Sequence, residues 1–152
     1  IRRKHMLAKR LKALMLKVDD CNTGVTGHIQ YSVVGIASGV NDHMTRLSDI
    51  RKHLSCEYVE HMQVKTANGD HFDLWLNETG KLENMRPCVP LIFGDQVYDV
   101  IAGNTLVTRY NQEGDIIALT DEDINTFLDH LKNCWKIACE PRKSMLNLEQ
   151  AS

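Results

Sequence analysis

The sequence predicts an α+β domain: an antiparallel sheet of about five or six strands packed on a C-terminal helix and a short helix, preceded by a basic amphipathic helix at the N-terminus. Three observations carry this reading. Runs rich in β-branched and aromatic residues recur through the middle of the chain, separated by Gly, Asn and Asp clusters. Asn68-Gly69 lies between two such runs and is a strong hairpin signal. After Thr120 the apolar spacing changes to a 3.6-residue period that persists to Ala138.

In chain order, Leu7, Leu11, Leu14, Met15 and Val18 fall on one side of a helical spiral, with the basic residues largely on the rest, so residues 3–18 read as a helix. Residues 19–27 are turn-rich, which sets residues 1–27 apart as helix and linker from a single domain over 28–140. His28 to Ile36 reads as a strand. A short helix follows from Thr45 to Leu54, with Leu47, Ile50 and Leu54 inward. Cys56 to Lys65 and His71 to Asn77 read as two strands joined at Asn68-Gly69 by a type I′ turn, in which both central residues need positive φ. In the second of them Phe72, Leu74 and Leu76 alternate with His71, Asp73 and Trp75, so one face is core.

Lys81 to Phe93 reads as an irregular crossing, because Pro87 and Pro90 each remove a backbone donor. Gln96 to Ile101, Thr105 to Tyr110 and Asp115 to Leu119 read as an antiparallel meander broken at Gly103-Asn104 and at Asn111 to Gly114. Thr120 caps the last helix with Asp123 three residues on, and Asp121 and Glu122 complement its positive end. Its stripe is Ile124, Phe127, Leu128, Leu131, Trp135 and Ala138. Pro141 follows the helix, and residues 141–152 read as a flexible polar tail.

Composition narrows the function classes. With 152 residues, 43% hydrophobic and 25% charged, the chain can bury a core without disulfide or metal staples. No stretch approaches the ~20 apolar residues of a membrane span, and no secretory leader is evident. The five cysteines are odd in number, scattered and free of any C-x-x-C pair, so reduced thiols and a cytoplasmic location are expected. The net charge of -2 hides an asymmetry: the first 17 residues hold seven basic side chains and no acid, which leaves the remainder at -9. An acidic body repels phosphate backbones, so nucleic-acid or membrane-surface contact is expected only through Arg2, Arg3, Lys4, Lys9, Arg10 and Lys12.

The chemistry-bearing motifs are few. There is no phosphate-binding glycine loop, no G-x-S-x-G elbow, no H-E-x-x-H and no tandem calcium-binding Asp motif, so the chain reads as a non-enzyme with no cofactor and no metal. His130, Cys134 and Cys139 come nearest to a zinc spacing, but small core or boundary thiols are the strongly favoured account. His61 and His71 would face each other across the hairpin, with Glu60 or Asp73 near, as a metal or proton-relay site; a solvated polar face is the plainer account. Asp99 would sit opposite Arg109 as a cross-strand pair. Tyr98, Asp99, Asn104, Arg109 and Trp75 form the candidate binding set, since Tyr and Trp beside acidic residues suit a protein partner better than a nucleic acid.

The quotable stretches LSDIRKHLSCEYVEHMQV (residues 47–64), LWLNETGKL (residues 74–82) and VYDVIAGNTLVTRYNQEGDIIALTDEDI (residues 97–124) carry a resemblance. Over roughly residues 29–131 the chain resembles a family of small proteins of unknown function carried by phages, prophages and plasmids. It departs from that pattern at Ser55-Cys56, where the family has Gly-Gly, and lacks the Asn that often follows Pro in the crossing. The resemblance implies an accessory protein of a mobile element and no reaction; together with the missing catalytic motifs it leads to the expectation of a non-enzymatic host-interaction protein, such as one countering a host defence by binding a host or element protein or a small signalling molecule. A small-ligand-binding or hydrolytic domain at the His61/His71 face is the alternative, and nucleic-acid contact through residues 1–18 is a third.

Overall fold

Leu11 to Leu16, the most apolar part of the expected N-terminal helix, is a strand. The computed structural model describes residues 10–18, 29–38, 43–80, 83 and 85–140. In it β1 (Arg10–Val18) lies between β2 (Ile29–Ala37) and β7 (Thr105–Tyr110), antiparallel to both. Leu11, Ala13 and Met15 join one core layer while Leu14 and Leu16 join the other. A central strand covered on both faces reads as a continuous apolar run, and such a run can also be placed on a helical spiral, which is why period alone misassigned it. Arg2, Arg3, Lys4 and Lys9 of the expected helix lie outside the described residues.

The main sheet has the order β2-β1-β7-β4-β3, with β3 at Val59–Lys65, β4 at His71–Asn77, and β8 (Ile116–Ile117) pairing with the far end of β7. Every pairing is antiparallel. One face is covered by α1 (His43–Leu54), whose Ile50 and Leu54 pack with Leu11, Met15, Trp75 and Leu106. The other is covered by α2 (Asp121–Cys139), whose Ile124, Phe127 and Leu131 pack with Leu14, Phe72, Leu74 and Val107. Thr120 caps α2 as expected, its side chain accepting from the Asp123 amide while Asp123 accepts from the Thr120 amide. Cys134 takes a place in the buried stripe, and Ala138 is exposed.

Two expected connections are corrected. The crossing that contains Pro87 and Pro90 is β5 (Pro87–Phe93), which among the described residues pairs only with β6 (Gln96–Ala102) in a separate two-stranded sheet. Among the described residues each strand there has one edge without a neighbour, so proline denies no second described strand a donor. The meander is therefore interrupted: β6 pairs with β5, and the chain re-enters the main sheet at Gly103, whose φ is +92° and whose amide donates to Arg86 O at 2.8 Å. At the other hairpin only Gly69 of Asn68-Gly69 has positive φ, and the Gly69 amide donates to Thr66 O. The turn spans Thr66 to Gly69 inside a Thr66–Asp70 closing pair, a longer loop than the two-residue type I′ turn expected.

Candidate functional site

The β5–β6 hairpin exposes apolar side chains that the rest of its own residues do not cover. Cys88, Val89 and Leu91 of β5 and Ile101 of β6 point into the core beneath α2, and burial pushes the Cys88 thiol up to about 12. These contacts anchor the hairpin. At its turn, Gly94 takes φ +67° beside Asp95, and Phe93 (81% exposed), Val97 and Tyr98 (64% exposed) face solvent. Between Pro87 and Ala102 there is no Lys, Arg or His, and Asp95 and Asp99 are the charged residues. Beside β6 a cleft of about 130 Å³ carries Glu60, Glu78 and Asp99 on its walls. The result is an aromatic tip with acidic residues beside it.

Of the candidate binding residues, Tyr98 and Asp99 lie on this hairpin, and the other three lie elsewhere. The expected Asp99–Arg109 pair does not form, because Asp99 sits opposite Leu91 in the small sheet. Arg109 instead donates to Asp123 Oδ1 at 2.6 Å, lies 3.6 Å from Asp70 and stacks over the Phe72 ring at 5.0 Å. It ties the start of α2 to the turn between β3 and β4. Asn104 accepts from the Val18 amide at 2.9 Å, completing the end of β1 where β7 no longer reaches it. Trp75 is buried against α1 and donates to the Thr108 hydroxyl at 2.9 Å. Arg10 and Lys12 are held in ion pairs, with Asp49 at 2.8 Å and Asp121 at 2.9 Å. Phe93 and Val97 were missed by sequence reasoning; the signal was an aromatic directly before Gly94-Asp95.

A second chemical arrangement lies on the α1 side of the sheet. His61 stands opposite Trp75 in the β3–β4 register, and His71 stands opposite Lys65, so the two histidines do not face each other. His61 Nε2 lies 3.1 Å from Asp73 Oδ1, its ring lies 4.4 Å from the Trp75 ring, and the Tyr110 hydroxyl is 3.5 Å from the same nitrogen. Burial raises the Asp73 carboxyl above its ordinary value, and the hydrogen bond and charge of His61 pull it partly back. Burial and the Asp73 charge likewise raise the Tyr110 phenol. This pair can hold and pass a proton, with the Tyr110 hydroxyl beside the imidazole. On α2, Cys134 Sγ lies 3.4 Å from His130 Nε2, with the thiol raised to about 11 and the imidazole lowered, both by burial. Among the described residues no three His, Cys, Asp or Glu are grouped to hold a metal ion. No helix among them is long and apolar enough to cross a membrane.

What the fold and this surface define is a small α+β domain with a helix on each face of its sheet and an exposed accessory hairpin. The chain belongs to the family described as a domain of unknown function, DUF3846, whose model matches residues 28–132. No curated protein and no solved structure matches it. The matched region begins after β1, yet β1 lies inside the sheet, between β2 and β7.

Proposed function

We propose that this chain is a non-enzymatic accessory protein of a phage or plasmid that acts by binding another protein, of host or element origin, through the β5–β6 hairpin. The observation that supports it is the solvent-facing Phe93, Val97 and Tyr98 in a segment whose charged residues are Asp95 and Asp99. Exposed aromatic residues give contact area at little entropic cost, and the acidic residues beside them suit a basic partner surface. The mobile-element setting rests on the resemblance of residues 47–64, 74–82 and 97–124. The test is native mass spectrometry of the tagged chain purified gently from its bacterial host. A stoichiometric protein adduct with the wild-type chain, lost in a folded Phe93→Ser/Tyr98→Ser variant and weakened by salt, is the expected result. An adduct indifferent to both substitutions contradicts the proposal.

A second reading, a small ligand bound or hydrolysed with help from His61, is favoured by the buried carboxylate behind that imidazole. The same spectra test it. A small extra mass that survives native conditions, is lost on denaturation and is absent from a His61→Ala variant would replace the protein-binding reading.

A further inference from the structure

The two outer edges of the main sheet are built differently. β3, at one end, carries Glu60, His61 and Lys65, charges of the kind that discourage a further strand from adding. β2, at the other end, carries none: residues 21–41 contain no Asp, Glu, Lys or Arg in a chain that is 25% charged. Nor does β2 contain proline.

The direction of the β2 backbone follows from β1. Lys12 O accepts from Leu119 and Val18 N donates to Asn104, so the even residues of β1 turn their polar groups away from β2. In the β1–β2 register even residues of β1 stand opposite odd residues of β2, so the odd residues of β2 direct their N–H and C=O outward. Part of that outer row is already occupied. The Ala37 amide donates to Asp49 Oδ2 at 2.8 Å, and Gly35 O is approached by Arg10 and His53 at 3.4 and 3.3 Å, so α1 side chains and Arg10 close this end. The outward groups of Ile29, Tyr31 and Val33 have no such partner among the described residues. Here the side chains are exposed as well, Tyr31 at 59% and Val33 at 51%.

We propose that the open half of β2 pairs antiparallel with the same segment of a second copy, joining the two sheets across a two-fold axis at Tyr31. The segment is its own complement. Antiparallel pairing about Tyr31 sets Tyr31 against its counterpart and Ile29 against Val33 on one face, and Gln30 against Ser32 on the other. All the outward-directed residues then meet in hydrogen-bonded pairs, each exchanging both backbone bonds. No charge opposes a like charge at this seam, although each body carries net negative charge elsewhere, and a closed two-fold contact leaves no further open edge here to propagate. The side chains that close Gly35 and Ala37 confine pairing to Ile29 through Val33, which fixes the register.

The test is sedimentation of the full chain across a concentration series up to about 100 μM, a range in which a dimer of micromolar affinity is populated. A dimer is expected, converted to a folded monomer by Tyr31→Lys, which places two ammonium groups against each other. Tyr31→Cys supplies a check independent of that variant. Facing residues of a hydrogen-bonded pair have Cα atoms about 5.5 Å apart, within disulfide reach, so mild oxidation should link the peptide to itself through residue 31, as read by mass spectrometry. Gln30→Cys, which would face Ser32, should not self-link. A wild-type chain that stays monomeric at 100 μM overturns the proposal, and so does a dimer that Tyr31→Lys leaves intact without the residue-31 link.

Discussion

Asp73 and His61 are diagonal neighbours on adjacent strands, and the carboxylate that is 1% exposed lies 3.1 Å from an imidazole that is 37% exposed. The sheet thus buries an acid beneath its own hydrogen-bond partner, with the Trp75 ring stacked at 4.4 Å and the Tyr110 ring edge-on at 5.7 Å. Burial of a carboxyl costs free energy unless such a partner meets it. His61 is therefore a determinant of stability whatever chemistry it takes part in.

His61→Ala removes that partner and leaves the Asp73 carboxyl in the sheet. A loss of about 1–3 kcal/mol is expected, the range for stranding a buried polar group, toward the lower end because the imidazole is partly solvated. Adding Asp73→Asn to His61→Ala should cost less than the sum of the two single changes, since the second removes the charge that the first strands. Urea unfolding of the four chains checks this; additive losses would mean that the pair is not coupled.

The pH dependence separates two acids of opposite sign. Burial raises Asp73, so the native state retains its proton where the unfolded chain has released it, and this contribution to stability declines as pH rises from about 4 through the raised value. For Asp123, burial acts upward, but the Thr120 backbone bond and the Arg109 guanidinium outweigh it and hold the carboxyl below its ordinary value. Its contribution is present above the unfolded value and is lost as pH falls through the lower folded one. In urea midpoints followed against pH, Asp73→Asn should remove the decline on the rising side and Asp123→Asn the loss on the acid side. An unchanged rising-side decline in Asp73→Asn would contradict the assignment.

Three glycines grade the strain at turns. Gly114 has φ +84° with open space around it, so Gly114→Ala should cost about 1–2 kcal/mol from backbone conformation alone. Gly103 adds to its φ of +92° a clash, since a Cβ there would stand 2.6 Å from Met85 Sδ, and its alanine variant should lose more. At Gly80 the obstruction is the Ala102 carbonyl oxygen at 2.5 Å, which is backbone and cannot rotate aside. Thermal unfolding of the three variants should rank Gly114→Ala as the mildest; equal losses would show that the contacts at Gly80 and Gly103 relax freely.

What the residues disclosed depended on how locally each element is determined. Thr120 with Asp123 defines the start of α2 within three residues, and the alternation from Phe72 to Leu76 places β4 without any knowledge of its neighbours. β1 was illegible because its character comes from two layers that pack on it from distant parts of the chain, α1 on one side and α2 on the other. β5 was hidden by Pro87 and Pro90, which mislead only if the strand is assumed to sit inside a larger sheet. The candidate surface was half visible. Tyr98 and Asp99 stood out as an aromatic and an acid in an apolar strand, whereas Phe93 lay in a segment read as an irregular crossing, so the turn signal at Gly94-Asp95 beside it was not taken up. Arg109 and Trp75 drew attention by residue type, and long-range partners that no local pattern encodes, Asp123 and Thr108, account for both.

The most direct test of protein binding through the β5–β6 hairpin is site-specific photocrosslinking, with the reactive residue placed at position 93 and, as a control, at exposed Glu113 on the β7–β8 turn. The account predicts one discrete protein adduct from position 93, formed in cells that carry the gene, suppressed by excess unlabelled chain and absent from position 113. Equal labelling at both positions, or adducts at 93 that unlabelled chain does not displace, would contradict it.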